Sequence, residues 1–217
     1  AEFVMPGFDV AKAESLRLQR EPRHGVEDEV VRIGYPTTPR PRVSPLIVPV
    51  VEHFWRKYGA TVMFEFIGWM PEALALLPNV ILHRWIGDYD AYLAFKVARR
   101  WDVGIAPLIG EGFERYKTNN KYREYGGCRV PAVYSDVSPF RETADDGRTG
   151  MLVENSREDW IEAPERLGAS PIWRSRTPEG GCGEVQRRHA MATTGRLLAA
   201  TAVRYVQGEA GYRRERR

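Results

Sequence analysis

Lys117 and Lys121 stand four residues apart just after a loop carrying Gly110 and Gly112, at the start of a stretch with helical composition. Residues at that spacing share one side of a helix start, where unpaired backbone N–H groups and the positive end of the helix dipole also gather. The pair points to an anionic ligand, and a phosphate suits it best. Asn119 and Asn120 lie in the same run, and Glu124 follows Lys121 by three residues. On residue types alone, the two lysines equally suit a solvated face, and Glu124 equally suits an ion pair with Lys121 or Arg123.

These residues need a scaffold, and the sequence around them supplies one. Apolar Val103 to Leu108 reads as a strand, the glycine loop follows, Lys117 to Lys121 open a helix, and Val130 to Tyr134 resumes as a strand closed by Ser135 and Asp136. That is a βαβ unit. In an open parallel sheet a ligand sits at the carboxyl ends of the strands, which is where this unit concentrates its polar residues.

The motif Phe113, Arg115, Lys117, Thr118, Asn119, Lys121, Glu124, Tyr125, followed by Val130-Pro131, Ser135-Asp136-Val137 and Pro139-Phe140, resembles the donor-binding half of glycosyltransferase family four. These are retaining GT-B enzymes that use nucleotide sugars, and the likeness runs over roughly residues 30 to 165. It implies that Lys117 and Lys121 neutralise a diphosphate, with Asn119 and Asn120 beside it, and that Glu124 binds the ribose hydroxyls, since a carboxylate accepts from both at once. It also implies backbone contacts to the distal phosphate from the loop Gly34 to Thr38, with Gly34 and Thr37 as its site residues, and to the base from Trp85 and Ile86. Core packing accounts for Trp85 equally well. The first acidic residue of the family pair falls on Tyr116; Glu114 and Glu111 both lie near enough to replace it, and Glu114 joins Lys117 as a catalytic candidate.

The resemblance implies an α/β fold, one Rossmann-like half of a GT-B enzyme with a parallel sheet and helices on both faces. The function it implies is transfer of a hexosyl group from a nucleoside diphosphate sugar to a glycan or lipid-linked acceptor. That acceptor would be held by an amino-terminal domain outside this chain, in a full-length enzyme with peripheral membrane association. The run Val4 to Asp9 resembles the linker leaving such a domain. A non-catalytic nucleotide or sugar-phosphate binding module, and a structural domain that keeps only the fold, are the alternatives.

The rest of the chain fits that architecture. Residues 1–29 read as a linker with one or two helical turns, 30–167 as the nucleotide-sugar domain, and 168–217 as a helical extension of it. Val30 to Ile33 is a strand, and the prolines and glycine of Gly34 to Pro39 predict a loop after it. Leu46, Val50, Phe54 and Tyr58 mark one face of a helix with Pro49 in its first turn. Strands are expected over Thr61 to Ile67 and Val80 to Trp85, short helices over Pro71 to Leu77 and from about Pro139, a helix over Tyr89 to Arg99, and a last strand at Met151 to Val153. Ser156 caps a helix from Arg157 that Pro164 should kink or end, and Glu184 to Val206 returns to helical composition. At Arg129 a left-handed cap would strain a non-glycine residue, so Gly127 is the expected substitute.

Composition narrows the function. The chain has 217 residues, 43% hydrophobic and 28% charged, with a formal charge of +3. That balance is ordinary for a globular protein and lacks the basic face nucleic acid requires, because the positive charge concentrates in Arg213, Arg214, Arg216 and Arg217 at the end. Cys128 and Cys182 have no partner at metal-ligand spacing, which suits a reducing cytoplasm. His24, His53, His83 and His189 are scattered, so no metal and no cofactor beyond the donor are expected. No segment approaches the roughly 18 uninterrupted apolar residues of a membrane span, and no export signal is expected.

Overall fold

A computed structural model describes residues 7–19, 30–169 and 181–188. Among these, six strands form one sheet: β1 (Val31–Thr37), β2 (Val62–Gly68), β3 (Val80–His83), β4 (Val103–Ala106), β5 (Ala132–Ser135) and β6 (Met151–Val153). The order is β3-β2-β1-β4-β5-β6, and every neighbouring pair is parallel. Chain direction across the sheet reverses between β1 and β4, the place where doubly wound folds open a crevice.

Helices cover both faces, because parallel strands are connected by crossovers and each helix must bury an apolar stripe. On one face α2 (Ser44–Tyr58) and α5 (Arg157–Ala169) bring Ile47, Val50, Phe54, Trp160 and Leu167 against Ile33, Phe64 and Val103. On the other, α1 (Val10–Gln19), α3 (Tyr89–Arg99) and α4 (Asn120–Gly127) supply Val10, Leu93, Tyr122 and Tyr125 to a second core. Residues 181–188 are also helical and add Val185 to that second core.

Two glycines in adjacent strands set the second face. A Cβ at Gly34 would lie 1.9 Å from the Trp101 ring, and one at Gly104 would lie 2.5 Å from the Tyr125 ring. The missing side chains let both aromatic rings lie directly on the sheet. The Tyr125 hydroxyl then lies 2.9 Å from the carbonyl oxygens of Gly34 and Ile105, tying α4 to β1 and β4.

Several sequence expectations need correction. The predicted loop after Ile33 is strand as far as Thr37. Pairing of β1 with β4 stops at Gly34, so one flank of the strand carries no ladder bonds from Tyr35 onward, and Pro36 costs least there. The segment Pro71 to Leu77 holds only a short 3-10 turn, Glu72–Leu74. Residues 138–143 form turns rather than a helix. Pro164 does not end α5, which runs on to Ala169. Arg129 itself takes the left-handed conformation at φ 56°, while Gly127 leaves room for Phe8, whose ring would lie 2.1 Å from a Cβ there. The amino-terminal segment is more than a linker, since α1 spans ten residues and Phe8, Val10 and Ala13 are buried. The expected helix over Tyr89 to Arg99 is present: Asp88 caps it by accepting from Ala91 N at 2.7 Å. Ser156 likewise accepts from Asp159 N at 3.1 Å. Most of the expected carboxy-terminal extension lies outside the described residues, as do His24 and His189.

Candidate nucleotide-binding cleft

A cleft of about 430 Å³ opens at the carboxyl ends of the strands. Pro36 and Thr37 from the end of β1, Ile67 from β2, Trp85 and Ile86 after β3, and Leu108 after β4 form its walls. Lys117, Asn120, Lys121 and Glu124 enter from the first turns of α4 and the segment before it. The two lysines share one cleft with the carboxylate, but not by the expected helical spacing: Lys117 lies before α4 in extended backbone, and only Lys121 and Glu124 are on the helix.

Charge in the cleft is unbalanced toward the positive. Lys117 has its ammonium pKa lowered by burial and by Arg40, partly opposed by Glu114. Lys121 is pushed down further, to about 7: burial is the largest cause, and Arg40, Lys96 and Lys117 add to it against the pull of Glu124. The Lys121 ammonium sits 5.5 Å from the centre of the Tyr35 ring and that of Lys117 5.4 Å from Phe113, contacts that stabilise a cation without neutralising it. Arg40, which the sequence reading did not single out, lines the same cleft. Its Nε is buried and, among the described residues, has no hydrogen-bond partner. Three cations crowded into one concavity destabilise one another until an anion enters.

Glu124 is held by partners that sequence spacing does not reveal. Its Oε2 accepts from the Tyr92 hydroxyl at 2.7 Å and from Lys96 Nζ at 3.0 Å, both on α3. The expected partners Lys121 and Arg123 are not its hydrogen-bond donors; Arg123 instead donates to Asn119 Oδ1 at 3.0 Å. Burial pushes the Glu124 carboxyl up, but Lys96, Lys121 and Tyr92 outweigh it and keep the group below the ordinary carboxylate value. The side chain keeps 18% of its surface exposed, and among the described residues no hydrogen bond reaches Oε1.

The other predicted site residues divide. Thr37, Trp85, Ile86 and Asn120 line the cleft, and Trp85 is 64% exposed rather than part of the core. Gly34 is not at the cleft: β1 continues three residues past it, and its role is to admit Trp101. Asn119 is buried at 1% exposure, where it accepts from Arg123 and donates to Thr143 Oγ1 at 3.3 Å. Glu114 directs Oε2 at the backbone N–H groups of Ile109 and Gly110, at 2.9 and 3.2 Å. Glu111 is exposed and pairs with Arg42 at 2.6 Å, while Tyr116 is 82% exposed. Among the described residues, no group of three or more His, Cys, Asp or Glu side chains could hold a metal ion. Cys128 and Cys182 are both buried.

The family model described as Glycosyl transferases group 1 matches residues 45–169, more than half of the sequence. The chain belongs to that family. No curated protein matched the sequence. Among solved structures, sucrose-phosphate synthase from Thermosynechococcus elongatus superposes at a TM-score of 0.72 with 16% identity, over 95% of this chain and 53% of that one. Anabaena HepE in complex with UDP and glucose gives 0.65 and 14%, over 91% and 55%. The C-terminal domain of a glycosyl transferase group 1 family protein from Francisella tularensis gives 0.60 and 14%, over 87% and 96%. This group 1 chain thus has the fold of a Rossmann-like half of a GT-B glycosyltransferase and spans about half the length of the two full-size neighbours.

Proposed function

We propose that the cleft binds a nucleoside diphosphate sugar and that this chain is the donor-binding half of a retaining glycosyltransferase. The observation that carries this reading is the convergence of Lys117, Lys121 and Arg40 with Glu124 on one cleft at the carboxyl edge of the sheet. The cations meet the diphosphate, whose charge grows as the glycosidic bond breaks, so each contact strengthens toward the transition state. Glu124 accepts from the ribose through the oxygen its protein partners leave open, and Trp85 with Ile86 flanks the base. The hexosyl group is then passed, with retained configuration, to a glycan or lipid-linked acceptor on an amino-terminal domain. HepE, of the same fold, is described in complex with UDP and glucose, which is compatible with such a ligand.

The cations of the cleft take the place of a divalent metal in this scheme, and the cysteine pattern of the sequence favours the cytoplasm as its setting. No helix among the described residues is long and apolar enough to cross a membrane. A module that binds the nucleotide without transferring sugar is the second reading. It draws on Tyr116, which stands where the resemblance expects an acidic residue and is turned to solvent.

Calorimetric titration with UDP, GDP and ADP, each with and without its sugar, tests the proposal. One diphosphate series should bind, and EDTA should leave its affinity unchanged. Absence of binding across the panel, or affinity lost to EDTA and restored by magnesium or manganese, would sink it. Assay of the full-length protein for sugar transfer separates the enzyme from the binding module.

A further inference from the structure

The loop between β4 and α4 already contains an anion of its own. Consecutive N–H groups of Ile109 and Gly110 both point at Glu114 Oε2, at 2.9 and 3.2 Å. Gly110 has φ +77°, the left-handed conformation that turns successive amides toward one point and forms an anion-binding concavity. No other residue fits there, since a Cβ on Gly110 would also lie 2.8 Å from Val137. The second carboxylate oxygen lies 3.6 Å from Arg40 Nη1, and both side chains are largely buried, at 16% and 14% exposure. Arg40 is therefore only loosely held: its nearest anion stands beyond hydrogen-bond distance, and its buried Nε has no partner among the described residues.

We propose that Glu114 is a built-in counter-ion that holds Arg40 in reserve, and that an incoming diphosphate competes with it for the guanidinium. This rests on the reading of the cleft as a diphosphate site. Glu114 is then a positioning residue: it orders the 109–114 loop through the two amides and sets how much positive charge the empty cleft presents. A free arginine beside Lys117 and Lys121 would raise the repulsion among them, and the carboxylate lowers it while the site is empty. When a diphosphate arrives, its oxygens offer Arg40 the bidentate contacts that Glu114 does not make. The exposed Arg42–Glu111 pair, at 2.6 Å, joins the same two loops beside Arg40 and Glu114.

The test is a calorimetric comparison of wild type with Glu114→Gln, titrated with UDP, inorganic pyrophosphate and uridine. Glutamine keeps an oxygen for the two amides but removes the charge that competes for Arg40. Diphosphate and pyrophosphate should bind about three- to tenfold tighter, the scale of a partly buried ion pair, with uridine unchanged. In an Arg40→Gln background the same substitution should give no gain. Equal or weaker pyrophosphate binding by a normally melting Glu114→Gln protein overturns the proposal, and so does an undiminished gain without Arg40. If that variant does not fold, the NMR signal of Arg40 Nε–H in the wild type decides: saturating pyrophosphate should shift it, and an unmoved signal overturns the idea. Wild type that binds UDP while Glu114→Gln binds it no tighter refutes the counter-ion alone. Pyrophosphate tightening without any UDP binding refutes the nucleotide reading and leaves the counter-ion standing.

Discussion

Lys96, whose side chain has no exposed surface, donates to Glu124 Oε2 at 3.0 Å and so fixes α3 to α4 at the wall of the cleft. Its ammonium lies 4.3 Å from the centre of the Tyr125 ring, and Tyr125 is anchored on the carbonyl oxygens of β1 and β4. The orientation of the carboxylate is thus inherited from the core of the second face. A site residue held this way is preorganised, and its removal is felt in the fold as well as in binding.

Glu124→Gln should therefore do two things. It leaves the Lys96 charge buried without its counter-ion, which should lower stability by about 2 to 3 kcal/mol, well above what an exposed pair is worth. It also weakens acceptance of the ribose hydroxyls and should reduce nucleotide affinity by about 1 to 3 kcal/mol. Thermal melts measure the first effect. Titration with UDP and with an analogue lacking both ribose hydroxyls measures the second, because wild type and variant should bind the analogue about equally. Equal losses for both ligands would show that Glu124 supports only the fold.

Proton uptake should accompany diphosphate binding above neutral pH. The pKa of Lys121 in the empty cleft is about 7, lowered chiefly by burial. A phosphate beside it favours the charged form and raises that value, so at pH 8 binding must draw a proton onto the lysine. Affinity should fall as pH rises from about 7 toward the raised value in the complex, and calorimetry in buffers of different ionisation enthalpy should report the uptake. Lys121→Arg, which stays charged throughout, should flatten the dependence. A wild type whose affinity does not change between pH 7 and 9 would contradict this coupling.

Glu65 should control acid stability. Its fully buried carboxylate accepts from Arg32 Nη1 at 2.7 Å, Arg99 Nε at 2.7 Å and Trp101 Nε1 at 3.1 Å, with His83 Nε2 at 3.3 Å. Burial pushes its pKa up, but Arg99, Trp101 and Arg32 outweigh that and hold it at about 2, against an ordinary 4.5. A carboxyl depressed on folding contributes stability that is complete above the unfolded value and disappears as pH falls through the folded one. Glu65→Gln should cost on the order of 3 kcal/mol at neutral pH, and the gap from wild type should close between about pH 4.5 and 2. Denaturant melts across that range measure it. A gap that stays constant down to pH 2 would mean that the hub acts by shape rather than charge.

Part of the cleft's charge was legible in the sequence where it depends on local spacing. Lys121 and Glu124 stand three apart within α4, so helical periodicity brings them to a common side, whereas Lys117 precedes the helix in extended backbone and reaches the cleft only through the fold. Alternating apolar strands and amphipathic helices likewise dictated a parallel sheet, because βαβ units have few other ways to bury their faces. The inward turn of Tyr125, fully buried beneath Glu124, follows from the same period.

What lies far apart in sequence was settled only by the tertiary structure. Lys96 and Tyr92 reach Glu124 from a helix about thirty residues earlier, and Arg40 meets Glu114 across more than seventy. No periodicity spans such distances; they close when crossovers stack α3 beside α4 and bring the loop after β1 against the loop after β4. Gly34 illustrates the same limit. The family resemblance placed it in a phosphate loop, but a tryptophan sixty-seven positions later needed the space above β1, and packing against the sheet decided the residue's role.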